Sequence, residues 1–153
     1  MKLVLLCLFA VCCYSLAQTT TTTNGPNTSL QKRKLEEALR QLNEVKRRQQ
    51  HYEEMLNAPE NIEDCCCLSA LQCFKANMQV HFNVTEGKEK KLYNSLKNHL
   101  TVRSLDFCNS GNDTLHEELI CCTHSTWPLV NFSFEFFNRL ESLIQRGITK
   151  LNN

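Results

Sequence analysis

The residues best equipped for chemistry in this chain carry sulfur. Cys65-Cys66-Cys67 is followed by Cys73, then by Cys108 and the adjacent pair Cys121-Cys122. Thiols spaced this way can hold a metal ion or join as disulfides. Five histidines, at positions 51, 81, 99, 116 and 124, keep the metal option in view. Cys121, Cys122 and His124 with Cys66 or Cys73 would make a zinc ligand set. His116-Glu117-Glu118-Leu119-Ile120 starts like the helix of a zinc protease but has isoleucine where the second histidine must stand. There is no Gly-x-Ser-x-Gly elbow and no phosphate-cradling glycine loop, and the whole chain has four glycines. No catalytic constellation can be assembled. The expectation is a protein that is not an enzyme and uses neither metal nor cofactor.

The compartment decides what the thiols do. Lys2 precedes the apolar run Leu3–Cys13, and Ser15-Leu16-Ala17 offers a small-x-small cleavage site before Gln18. Residues 1–17 therefore read as a secretory signal peptide, too short for a membrane span. No later stretch is apolar enough to insert in a bilayer. Cleavage would remove Cys7, Cys12 and Cys13 and leave seven cysteines in the secreted, extracellular chain. In an oxidising compartment most should form disulfides, and an odd number leaves at least one as a thiol or bridging two chains. Four Asn-x-Ser/Thr sequons begin at Asn27, Asn83, Asn112 and Asn131, as on a glycosylated surface. A formal charge of +1 argues against a general nucleic-acid binder.

Positioning these groups falls to helices. At 153 residues the chain suits one domain. Residues 18–28 form a Thr-rich polar leader, and 29–153 the folded domain. A first helix is expected from Thr28 or Ser29, where Thr28-x-x-Gln31 resembles a capping box. Leu35, Ala38, Leu39, Leu42 and Val45 supply its apolar stripe. The stripe fades after Gln49, and Ala58-Pro59 ends regular structure before a second helix over about 62–79. On that helix Cys66 and Cys73 share a face ~10.5 Å apart, while Leu71, Phe74 and Met78 face a core. A third helix spans about 88–105, with Leu92, Tyr93, Leu96 and Leu100 inward. A fourth, over about 131–151, has the strongest stripe: Phe136, Phe137, Leu140, Leu143, Ile144 and Leu151. No strand-like alternation competes. The fold expected is all-α, a disulfide-stapled four-helix bundle. The long 106–129 connection and a first helix ending near Gln50 favour up-up-down-down order.

A family resemblance sharpens this. Leu56-Asn57-Ala58-Pro59-Glu60-Asn61-Ile62-Glu63-Asp64, leading into Cys66-x6-Cys73-Phe74, is similar to the interleukin-21 group of short-chain helical cytokines. Glu135-Phe136-Phe137-Asn138-Arg139-Leu140-Glu141-Ser142-Leu143-Ile144-Gln145 resembles the last helix of that family. Interleukin-15 and interleukin-2 share parts of the pattern. The resemblance implies a secreted, monomeric cytokine that binds two cell-surface chains, a private receptor like that of interleukin-21 and the common gamma chain. Kinase-STAT signalling in lymphocytes would follow. It places common-gamma-chain contacts on Gln145 and Ile148, with Glu141 beside them. Residue positions agree, because Ile148 lies at the edge of the core stripe and Gln145 beyond it. Private-receptor contacts would come from Lys32, Arg33, Lys34 and Arg40 on the first helix and Lys90, Lys91, Lys97 and Arg103 on the third.

The family also joins its second-helix cysteines to two in the last long connection, which implies Cys66–Cys121 and Cys73–Cys122 here. The adjacency of Cys121 and Cys122 departs from the family spacing, and Cys65–Cys108 is left open as a third bridge. Cys67, on the core stripe, is the expected buried thiol. Two other functions stay in view: an interleukin-15- or interleukin-2-like sibling, and a disulfide-rich secreted carrier or inhibitor. A carrier would need small inward residues where this chain has Phe and Leu.

Overall fold

A computed structural model describes residues 26–49, 55–107, 129–130 and 133–153. Residues 1–17, expected to be a signal peptide, residues 18–25 of the expected leader, the sequons at Asn112 and Asn131, Cys108, Cys121, Cys122 and most of the 106–129 connection lie outside the described residues. What is described is mostly helical.

Helix α1 runs Pro26–Arg48. It starts before the expected capping box, so Thr28 sits inside the first turn rather than at its cap. Proline suits a first helical position because that position has no use for an N–H. Lys46, Arg47 and Arg48 occupy the last turn, where cations complement the helix dipole. Strand β1, Leu56–Asn57, pairs antiparallel with β2, Leu129–Val130, in the register Leu56 to Val130 and Asn57 to Leu129. This short pairing was not legible as alternation, since two residues make no pattern.

A 3-10 turn at Asp64–Cys66 leads into α2, Cys67–His81. The second helix therefore begins five residues later than the apolar pattern suggested. Helix α3 is Gly87–Lys97 and α4 is His99–Ser104. The sequence predicted one helix here, and Asn98 divides it. Its backbone turns extended at ψ 132°, and its side chain accepts the Leu100 N–H at 2.9 Å. Asparagine serves a helix start better than a helix interior, because its side chain competes for backbone donors. Helix α5, Ser133–Lys150, closes the order.

Helix α1 is the hub: it packs against α5, α3 and α4, while α2 lies against α3, α5 and β1. Every core position expected on α1, α2 and α5 is buried or partly buried: Leu35, Ala38, Leu42 and Val45; Leu71, Phe74 and Met78; Phe136, Phe137, Leu140, Leu143 and Ile144 are sealed, with Leu39 and Leu151 at the edge. On the third helix Leu92 and Leu96 are sealed, and Tyr93 is partly buried against the core. Phe74 meets Phe136 edge-on at 5.2 Å between centroids, and Phe136 meets Phe137 at 5.1 Å. Edge-to-face rings add packing energy beyond buried area.

Two arginines of α5 hold the chain that leads into α2. Arg139 donates to the Ala58 carbonyl at 2.9 Å and pairs with Glu135 and Glu60. Arg146, seven residues and so two turns on, donates to the Ile62 carbonyl and faces Asp64. Ser133 donates to the Gln49 carbonyl at 2.8 Å. These bonds tie both ends of the first connection to the last helix.

Candidate functional site

Helix α5 carries the leading candidate. At 100° per residue, Phe134, Glu141, Gln145 and Ile148 fall within an arc of roughly 60°, running ~21 Å along the axis. The arc borders the buried stripe. Ile148 is half-buried against the core, and Gln145 is exposed. Gln145 Nε2 donates to Glu141 Oε1 at 3.2 Å. Glu141 in turn accepts from Lys46 of α1, a cross-helix ion pair whose side chains keep 15% and 22% of their surface. Lys46 Nζ also lies over the Phe134 ring, 5.3 Å from its centroid. The three residues named from the sequence thus share one surface with two that were missed. Phe134 stands seven residues before Glu141, a spacing that could have revealed it. Lys46 is brought in only by the α1–α5 packing.

The eight cations named for a private receptor do not form one patch. Lys32 faces Glu36 at 4.0 Å, Lys34 holds Glu37 at 2.8 Å, and Arg40 faces Glu44 at 3.5 Å. The hydrogen bond from Lys34 holds the Glu37 carboxyl below its usual range. A hydrogen bond from Lys88 does the same for Glu44, joined by the charges of Arg40 and Arg47. Arg33 is exposed on α1, and Arg103 is exposed on α4. Lys97 lies over the Tyr93 ring at 5.2 Å, and its charge adds to burial in lowering the Lys75 pKa on α2. It therefore belongs to the α2 side. Lys90 and Lys91 line an open hollow with Arg48 and Lys88 at the end where α1 and α3 meet.

The sulfurs divide differently from the expectation. Cys65 and Cys66 are disulfide-bonded. Cys67 is a buried thiol as anticipated, within 3.7 Å of Arg146 Nη1, its pKa raised by burial against the pull of that guanidinium. Cys73 carries a thiol, and Cys122, its expected partner, lies outside the described residues. Burial pushes its pKa up to about 11, and Asn77 Nδ2 lies 3.5 Å from its sulfur. The bridged sulfurs stand at the 3-10 turn, Cys66 seven residues before Cys73.

Of the two described sequons, Asn83 is exposed in the turn between α2 and α3, where its Oδ1 accepts from the Thr85 N–H at 3.0 Å. Asn27 is exposed in the first turn of α1. Among the described residues, no three His, Cys, Asp or Glu side chains converge as a metal site. No helix of the described residues is long and apolar enough to cross a membrane. No protein-family model, curated protein or solved structure matches the chain.

Proposed function

We propose that the chain is a secreted short-chain helical cytokine of the interleukin-21 type, which brings a private receptor and the common gamma chain together on a lymphocyte. Its fold in this reading is the up-up-down-down four-helix bundle, with α1, α2, the broken α3–α4 rod and α5 as its members. The β1–β2 pairing supports that order. Each strand lies in the connection before a helix, and the two run antiparallel, as two crossover links passing in opposite directions must. A core filled by phenylalanine and leucine supports a protein that works by its outer faces rather than by holding a ligand inside. Bridges from Cys65 and Cys66 to the last long connection would staple the bundle.

The observation that carries the reading is the α5 arc: an apolar Ile148 at the margin of the core beside an exposed, uncharged Gln145, flanked by an aromatic. Interfaces draw affinity from such partly buried apolar anchors ringed by neutral polar groups. The common gamma chain would meet this α1–α5 surface, and the private receptor the outer flank of α1 beside α3.

The test is binding of the secreted protein to both receptor ectodomains, with Gln145→Ala and Ile148→Asp alongside, each checked for unchanged circular dichroism. Loss of a central contact is worth about 2 kcal/mol, or roughly 30-fold. We expect that loss for the common gamma chain and less than about twofold change for the private receptor. Full recruitment of the common gamma chain by both variants would remove this site. Capture by the private chain of the interleukin-15 receptor would place the protein with that sibling.

A further inference from the structure

The end of the molecule where α1 finishes and α3 begins carries a charge pattern that the helices themselves do not call for. Arg48, Lys88, Lys90 and Lys91 surround an open hollow of about 550 Å³, with Glu86 the one carboxylate on its lining. At the C-terminus of α1, Arg48 suits the helix dipole. At the N-terminus of α3 the dipole favours acids, so lysines at positions 88, 90 and 91 oppose it. The nearby carboxylates are already engaged: Glu44 holds Lys88, and Glu89 faces Arg48 at 3.9 Å and accepts from Gln49 at 3.2 Å. Lys90 and Lys91 are exposed and make no ion pair among the described residues.

We propose that this hollow binds a sulfated polysaccharide, its sulfate and carboxylate groups lying across the α1–α3 junction. Clusters of lysine and arginine attract such chains by charge with little demand on shape. A protein partner is less suited to the place, because protein interfaces centre on apolar anchors. The exposed large hydrophobic residues among those described, Met55, Val80 and Phe134, are not on the lining. The overall charge of +1 means that attraction must be local, so the position of each cation matters more than their number. The proposal removes Lys90 and Lys91 from the expected private-receptor contacts and does not depend on the α5 assignment.

The experiment passes the secreted, full-length mature protein over immobilised heparin at about 0.15 M salt, near the Debye length of ~8 Å. Retention should weaken steeply as salt rises, since released counterions drive polyanion binding. Lys90→Glu with Lys91→Glu should lower affinity at least tenfold. Lys32→Glu with Arg33→Glu, at the other end of α1, makes the same change in net charge and should lower it less than threefold. Equal loss in both double variants would show a net-charge effect and overturn the site, as would absence of wild-type retention. If the Lys90/Lys91 variant keeps heparin binding and instead loses the private receptor ectodomain, the hollow is a protein contact and the proposal fails. If heparin binding behaves as expected while the Gln145 and Ile148 variants leave receptor binding intact, only the receptor reading falls.

Discussion

Single residues show where the interior is satisfied and where it is not. Thr101 is fully buried in α4, and its hydroxyl has no hydrogen-bond partner among the described residues. An unmet buried hydroxyl is unfavourable by about 1–3 kcal/mol, and valine has nearly the same shape. Thr101→Val should therefore raise stability by about 1 kcal/mol, read as a higher urea midpoint with unchanged slope. Cys73, half-buried on α2, makes a different point. Its pKa near 11, against an ordinary 9.0, means that the folded state keeps a proton that the unfolded chain releases over this range. The stability it contributes is full below about pH 9 and is lost as pH rises from there toward 11. Wild-type protein should lose melting temperature between pH 8.5 and 10.5 more steeply than Cys73→Ser. Iodoacetamide at neutral pH should label neither Cys67 nor Cys73 until the chain is unfolded. Helical periodicity placed Cys67 in the core. It could not show that Cys73 stays a thiol, because disulfide choice depends on which distant sulfur arrives.

At the scale of an element, α5 shows a conflict between local propensity and packing. Gly147 lies inside a helix, where glycine is about 1 kcal/mol worse than alanine. A Cβ there would stand 2.7 Å from Leu105 Cδ2 and 2.8 Å from Leu35 Cδ1. Both leucines are sealed in the core, so neither has space to retreat. Overpacking should outweigh the gain in propensity, and Gly147→Ala should destabilise by about 1–2 kcal/mol in denaturant titration. The division of α3 from α4 is a second case. Leucine spacing carries across residues 88–105 and predicts one rod, while the asparagine between its halves offers a better start for a new helix. Periodicity reports which face is buried and is blind to a break that preserves that face.

The whole molecule depends on contacts between parts that lie far apart in sequence. Arg139 and Arg146 pin the segment before α2 to α5 through backbone carbonyls. Arg139→Ala would leave the carbonyl of fully buried Ala58 without its donor and should cost about 1–3 kcal/mol. Limited proteolysis should then cut first between Met55 and Glu63, as the segment loses its tie. The helices and their inward faces were legible in the chain alone, because burying one apolar stripe per helix is a local, periodic demand. So was the exposed position of Gln145, with Glu141 one turn before it, which follows from the same periodicity. The tertiary structure alone decided that β1 meets β2, that Lys46 and Phe134 join the α5 arc, and that Lys90 and Lys91 stand with Arg48 while Lys97 turns toward α2. Each of these rests on how one helix is rotated against another. That rotation is chosen by the fit of side chains from distant segments, and no stretch of sequence contains it.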